Sequence, residues 1–345
     1  TPRKQVRVWV DGCFDMMHYG HANVLCQARQ FGDVLVVGVH NDKAIEHNKG
    51  PPVVSEAERY EAVRACRWAD ELVPDAPYTT LLETLERHDC DFCVHGDDIT
   101  TTADGSDCYH AVKVAGRYRE CRRTEGVSTM ELIGRMLTMT KEHLRRRPSL
   151  QRHAAAGDGG NGGSASTAAG TTLAGVSEHA AEENAAGESG NVVVYVDGAF
   201  DLFHVGHSAL LEAAHALGTH VLVGVHPDDV VNRVKGGNHP IMNLHERLLT
   251  VMACRWVDNV VVSPYGVTDA FLRHWNIAHV VQGASLLTSA GDPYAVAKQT
   301  PGMFHVLPSK HPEVTTTHIL ERIMQNRLKY EARNRRKAQK AAHEA

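Results

Sequence analysis

Short Val-rich runs alternate along the first half of the chain with longer amphipathic stretches. Residues 6–10 read as a strand, about 20–31 as a helix, 34–39 as a second strand, about 55–67 as a second helix and 91–95 as a third strand. Apolar runs of strand length punctuated by helical periodicity are the sequence form of βαβ units. The pattern therefore predicts an α/β fold, a Rossmann-like, doubly wound parallel sheet with helices on both faces. Ligands of such sheets bind beyond the carboxyl ends of the strands, so the end of the first strand is the place to look for chemistry.

The same pattern occurs twice. Val6 to His21 reads VRVWVDGCFDMMHYGH and Val192 to His207 reads VVVYVDGAFDLFHVGH, identical at ten of sixteen positions. The register persists through Val36 to His40 against Leu222 to His226, Glu58-Arg59 against Glu246-Arg247, and Cys66-Arg67-Trp68 against Cys254-Arg255-Trp256. A repeat this long is a duplicated domain rather than a short-period solenoid. Between the copies, residues 148–190 hold almost no bulky apolar side chains and read as a flexible Gly/Ala/Ser-rich linker. The expected organisation is a catalytic domain over 1–147, the linker, a second copy without catalysis over 191–325, and a basic helical tail over 326–345.

Composition narrows the class without naming a function. The chain has 345 residues, 43% hydrophobic and 22% charged, which is enough for two cores and too apolar for general disorder. A net charge of -5 gives no global attraction to nucleic acid. No run approaches the length of a membrane span, and Thr1 to Gln5 lead into a strand pattern rather than an apolar signal core. Seven of the eight cysteines lie in the first half without the spacing of a disulfide framework, so reduced thiols in a cytoplasmic setting are expected. Cys90 and Cys93 form one C-x-x-C, but with no second such pair they read as thiols along a buried strand, and no metal-ligand set is assigned.

The end of the first strand carries Gly12, Phe14 and Asp15, then His18-Tyr19-Gly20-His21 at a helix start. Histidines three apart there can lie on one face beside the positive end of the helix dipole, making an anion site with two nitrogen donors. Further on stand Lys49, the Gly96-Asp97-Asp98 turn, and Arg123-Thr124-Glu125-Gly126-Val127-Ser128-Thr129. The last segment opens a helix whose Leu132, Ile133, Met136 and Leu137 share a face, so its arginine, amides and hydroxyls meet at a helix N-terminus, a setting that suits polyphosphate. Plain N-capping is the competing reading of Ser128 and Thr129.

In combination, H-x-G-H and R-T-x-G-V-S-T resemble the cytidylyltransferase family, within the nucleotidyltransferases that carry an H-x-G-H signature. The tandem arrangement is similar to its phosphoethanolamine-specific branch. Phosphocholine-specific relatives typically carry one such domain and a long membrane-binding amphipathic helix, which is not seen after either copy. The resemblance implies CTP and phosphoethanolamine as substrates, with Mg2+ on the triphosphate held mainly by phosphate and water. It implies that His18 and His21 contact the reacting phosphates, and that Lys49 sits near the α-phosphate and the incoming phosphate. Arg123, Thr124, Ser128 and Thr129 would hold the β- and γ-phosphates, and Asp97 or Asp98 would meet the cytosine amino group. Asp15, Asp42 and Arg59 match family positions with less defined roles. Pairing of the two copies about a pseudo-twofold axis is expected from the matched Cys-Arg-Trp segments.

The second copy keeps His204, His207 and Lys235 but has Gly283-Ala284-Ser285 where the first has Gly96-Asp97-Asp98. It also has Lys310 and Glu313 in place of Arg123 and Gly126. Glutamate repels polyphosphate and lysine lacks the bidentate fork of arginine, which places catalysis in the first copy. The basic stretch from Gln325 to Lys337 reads first as a solvated helix extension and second as a weak contact with anionic membrane surfaces. Competing readings are another phospho-alcohol as acceptor (phosphocholine or glycerol-3-phosphate), an adenylyltransferase, and a nucleotide-sensing scaffold without turnover. The adenylyltransferase usually places an arginine in the first turn of the helix after the Ser-Thr pair, and Met130 to Ile133 supply none.

Overall fold

The structure is a computed structural model that describes residues 3–98, 100–138, 144, 190–283 and 292–344. Apart from Gly190, the expected linker lies outside the described residues, as do Ala284 and Ser285. The Val-rich runs become parallel strands β1 (Arg7–Gly12) and β2 (Val34–Val39), paired from Arg7 opposite Val34 to Gly12 opposite Val39. With β3 (Glu71–Pro74), β4 (Phe92–Gly96) and β5 (Tyr118–Cys121) they form a sheet of order β3-β2-β1-β4-β5. The chain winds outward from β1 through β2 and β3, then crosses back to β4. The winding reverses between β1 and β4, and that switch point opens a crevice at the carboxyl ends of the strands. Helices α1 (Tyr19–Arg29), α2 (Asp42–Asn48), α3 (Glu56–Arg64), α4 (Leu82–Arg87), α5 (His110–Val114) and α6 (Thr129–Thr138) complete the first copy.

The second copy repeats this plan. Strands β6 (Val193–Gly198), β7 (His220–Val225), β8 (Asn259–Val262), β9 (Ile277–Gly283) and β10 (Phe304–Leu307) lie in the order β10-β9-β6-β7-β8, the first sheet's order read from its other edge. Its helices are α7 (Val205–His215), α8 (Asp228–Lys235), α9 (Leu244–Met252), α10 (Asp269–His274), α11 (Ala295–Lys298) and α12 (Thr316–Gln325), followed by α13 (Arg327–Glu344). Among the described residues, no helix is long and apolar enough to cross a membrane.

Helix α3 is shorter than its periodicity predicts. Its start is a capping box, with Ser55 accepting from the Glu58 N–H and the Glu58 carboxylate accepting from the Ser55 N–H. After Arg64 one tightened turn closes it, with Cys66 N–H donating to Val63 O (3.0 Å), and beyond that the backbone turns to the second copy. Arg67 N–H donates to Ala253 O (2.9 Å) and Arg255 N–H to Ala65 O (2.8 Å), around an antiparallel bridge of Cys66 with Cys254. The side chains are reciprocal too: Arg67 Nη2 donates to Cys254 O and Val257 O, and Arg255 Nη2 to Cys66 O and Ala69 O.

Further contacts join the copies near the strand ends. The buried Arg135 guanidinium forms a two-bonded pair with Glu246, Nη1 to Oε2 at 2.7 Å and Nη2 to Oε1 at 2.8 Å. One apolar cluster takes Met16, Val54, Ile133 and Met136 from the first copy and Leu202, Ile241, Met242 and Ile319 from the second. Tyr330 of the basic tail belongs to it, 1% exposed. The solvated-extension reading of the tail is corrected on one face: Arg327, Leu328 and Lys329 are exposed, but α13 carries a buried tyrosine, and burying that much aromatic surface fixes the helix against its neighbours.

Candidate active site

The β1–α1 loop is held in a strained shape. Phe14 and Met16 have φ of 51° and 49°, and Phe200 and Leu202 in the second copy have 48° and 49°. Left-handed backbone at non-glycine residues costs of order 1 kcal/mol or more and persists where the surroundings enforce it. Here the enforcing group is Asp15. Its buried carboxylate accepts from Val53 N–H (3.0 and 3.1 Å) and Val54 N–H (3.1 Å), tying the loop to the segment after Lys49. Burial pushes the Asp15 carboxyl above its ordinary range, against those two N–H groups. Phe14 is 4% exposed and packs in the core, its ring lying over Gly12, where a Cβ would come within 3.2 Å.

Helix α1 begins on His18, its N-cap. Gly20 N–H donates to His18 Nδ1 (3.1 Å) and His18 N–H donates to His21 Nδ1 (3.3 Å). Both Nδ1 atoms thus act as acceptors, which leaves the proton of each neutral ring on Nε2. The rings stack at 4.0 Å between centroids. Burial, followed by the neighbouring His21, drives His18 well below the ordinary histidine range, while burial and then the charges of Lys49 and Arg123 take His21 down to about 4. Both are neutral donors at physiological pH. His18 Nε2 is buried and has no hydrogen-bond partner among the described residues, and such an orphan N–H is rare in a finished site.

The segment 123–129 is drawn onto this helix start by named contacts. Val127 is buried so close to Gly20 that a Cβ on Gly20 would lie 2.8 Å from Val127 Cγ1. Asn23 donates to Thr124 Oγ1 (2.8 Å), Gln27 exchanges two bonds with the Arg122 backbone, and Thr129 Oγ1 donates to Asp15 O (2.8 Å). Gly126 has φ of 76°, the left-handed value that favours glycine. Ser128 Oγ accepts from Glu131 N–H (3.1 Å), so the capping reading of this hydroxyl describes its present bond. Arg123 meets the β4 turn: its N–H donates to Asp97 Oδ1 (3.1 Å) and its Nη1 to Asp98 Oδ2 (3.0 Å). Gly96 is buried at the strand end beside Asp98.

Lys49 is the C-cap of α2, its Nζ lying 5.8 Å from the Tyr78 ring centre. Its ammonium is held above the ordinary lysine range, chiefly by the neighbouring Cys13 and against the cost of burial. Arg59 and Asp42 are brought to each other rather than to the histidines. Arg59, fully buried, donates to Cys13 O (2.8 Å), His40 O (2.6 Å) and Asp42 Oδ1 (2.8 Å), stapling two loops together. Arg247 does the same with Ala199 O, His226 O and Asp228. Sequence reasoning missed Asp11, which accepts from Trp9 Nε1, Thr80 Oγ1 and Tyr109 OH at the end of β1. It also missed Asn23 and Gln27. The repeated Val-Asp-Gly at Asp11 and Asp197 was the available signal for the first.

In the second copy His204 and His207 keep the geometry, with rings 3.9 Å apart and Gly206 N–H donating to His204 Nδ1 (3.2 Å). Burial lowers His204 to about 3 and lowers Lys235 below the ordinary lysine range. The rear half differs: Lys310 pairs with Glu212 (2.9 Å) and His311 lies 3.6 Å from Glu313.

A family model described as cytidylyltransferase-like matches this chain twice, over residues 9–135 and 195–322. Ethanolamine-phosphate cytidylyltransferase of Mus musculus is 47% identical, over 97% of this chain and 90% of its own length. The protein of the same name in Dictyostelium discoideum is 49% identical, over 99% of this chain and 96% of its own. Choline-phosphate cytidylyltransferase A of Rattus norvegicus is 41% identical, but over only 44% of this chain and 42% of its own.

Proposed function

The chain belongs to the cytidylyltransferase-like family, and from that premise we propose that it transfers the cytidylyl group of CTP to phosphoethanolamine, giving CDP-ethanolamine and pyrophosphate for phosphatidylethanolamine synthesis. The relatives similar along nearly the whole chain carry the ethanolamine-phosphate name, whereas the choline-phosphate relative matches less than half of it. The observation that carries the reading is the buried, neutral His18 with an unpartnered Nε2–H, stacked on His21 within reach of the Lys49 and Arg123 charges.

In the reaction an oxygen of the acceptor phosphate forms a bond to the α-phosphorus. The bond from that phosphorus to the α–β bridging oxygen breaks, and pyrophosphate leaves with the electron pair. Charge gathers on the bridging and non-bridging oxygens, and preplaced donors lower the barrier by meeting it there. The Nε2–H groups of His18 and His21 are such donors. Being neutral, they give a hydrogen bond without first shedding a proton. Lys49 neutralises the approach of one phosphate to another. Arg123 exchanges Asp98 for the β- and γ-phosphates, assisted by the Gly126–Thr129 amides and the Thr124 hydroxyl, while Asp97 and Asp98 turn to the cytosine amino group.

The donors around this crevice fit Mg2+ carried by the triphosphate rather than caged by protein, because Asp97 and Asp98 are given to the cytosine amino group and the Asp15 carboxylate is held by the Val53 and Val54 N–H groups. Bound there, the ion would neutralise phosphate charge. The proposal places turnover in the first copy, treats the two copies as one intramolecular pair in solution, and sets the protein in the cytoplasm. Weak contact of the tail with anionic membrane surfaces rests on the tail's sequence.

The test is product formation from radiolabelled CTP or UTP with phosphoethanolamine, phosphocholine or glycerol-3-phosphate. CDP-ethanolamine is the expected main product, with CTP preferred over UTP by at least about tenfold, because a bound base covers the exposed Asp97 and Asp98 carboxylates and the carbonyl of UTP leaves them without a donor. Equal use of UTP removes Asp97 and Asp98 from base recognition, and a faster reaction with another acceptor overturns the substrate assignment.

A further inference from the structure

Helix α13 follows the second copy in sequence but docks on the first. Tyr330 is 1% exposed and its hydroxyl donates to Pro52 O (3.2 Å), in the segment that Asp15 holds by Val53 and Val54. Arg333, one helical turn on, projects from the same face. A Cβ built on Gly50 would lie 4.0 Å from Arg333 Cδ. Between helix and loop lies a cleft of about 500 Å³, with Lys49, Gly50 and Pro51 on one wall and Lys329 and Arg333 on the other. Glu46 is the one carboxylate among the lining residues.

Arg333 Nη1 is buried and has no hydrogen-bond partner among the described residues. Asp15 is near enough to feel its charge, but both Asp15 oxygens are occupied by backbone N–H groups. Nor is a carboxylate within 4.0 Å of Arg333 or Lys49 among the described residues. Two cations sharing a cleft wall to wall, one with a buried unpaired N–H, are unfavourable unless an anion completes them. A guanidinium suits a phosphate dianion through its paired donors.

We propose that Arg333 is a substrate-binding residue of the first-copy site, holding with Lys49 the phosphate monoester of the acceptor. The inference rests on the phosphoethanolamine reading and deepens it. Lys49 is the shared point: placed between the two phosphates that must react, it has the nucleotide on its histidine side and the acceptor on its α13 side. The second copy then serves the reaction by delivering its trailing helix to the partner site, whatever its own crevice binds.

The experiment uses the full chain carrying Arg333→Ala and Arg333→Lys. Arg333→Ala should raise the KM for phosphoethanolamine about tenfold or more, leave the KM for CTP within about twofold, and recover in part with lysine. A rise in the KM for CTP instead assigns Arg333 to the nucleotide phosphates and overturns the proposal, as does no change in either. A second readout needs no turnover: millimolar inorganic phosphate should raise the melting temperature of the unsubstituted protein more than that of Arg333→Ala. Equal shifts overturn the phosphate site. If the unsubstituted protein turns over no phosphoethanolamine, the functional reading fails while the melting comparison still decides Arg333. Should Arg333→Ala not fold, Arg333→Gln, which keeps the length and most of the stem, replaces it in both measurements.

Discussion

In the proposed reaction each histidine of the pair has two jobs on two nitrogens. Nδ1 of His18 and His21 closes the helix start, and Nε2 remains for a ligand. His204 and His207 keep the first job, so the motif closes a helix start also in the copy whose rear half differs. His18→Ala or His21→Ala in the first copy should lower CDP-ethanolamine formation roughly 10²- to 10³-fold, the scale of a lost oxyanion donor. His204→Ala should leave most turnover, with a melting temperature lowered by the loss of a cap, about 1 kcal/mol. Steady-state rates with thermal melts check this, and a folded His204→Ala protein as inactive as His18→Ala refutes the one-site model.

Among the elements, the junction of α1 with the loop before α6 governs the site. Val127 seats against Gly20, so the glycine of H-x-G-H is required by close approach of a neighbour rather than by its own backbone angle. Gly20→Ala puts a methyl 2.8 Å from Val127 Cγ1 and 2.9 Å from His18 Cε1. Displacing either by several tenths of an ångström should cost about tenfold or more in kcat/KM, since misplacement near 1 Å costs ~10²-fold. Gly134→Ala is the contrast. Its Cβ would meet nothing within 4 Å inside α6, so it should stabilise the fold by about 0.5–1 kcal/mol and leave the rate unchanged. Similar kinetics for the two variants contradict the packing account.

For the molecule as a whole, the copies are joined by a polar lock as well as an apolar one. Arg135 and Glu246 are 9% and 4% exposed in their side chains, with paired bonds between them. Removing one member strands the other charge in a buried place, so Arg135→Ala should destabilise the protein by about 3–5 kcal/mol in denaturant unfolding. Arg135→Met combined with Glu246→Leu should recover most of that loss, because it removes both charges and keeps the volume. A loss below about 1 kcal/mol for Arg135→Ala shows that water reaches the pair.

The chain's own pattern determined the parts that depend on local spacing. Runs rich in apolar residues mark β1, β2 and β4 because strands covered on both faces are largely apolar, and the duplicated sixteen residues announce two such sheets. The H-x-G-H helix start was legible because a cap and its donors lie within four residues. Edge strands β3 and β5 were not, since Glu71–Pro74 and Tyr118–Cys121 are four residues long and largely uncovered, leaving little apolar signal. Tertiary structure alone decided that Arg59 staples loops, that Arg123 lies on Asp98, that the backbone beyond α3 turns to the second copy, and that α13 returns to Lys49. Each depends on which surfaces meet across tens to hundreds of residues, and that follows from the packing of whole elements, which periodicity along one segment does not encode.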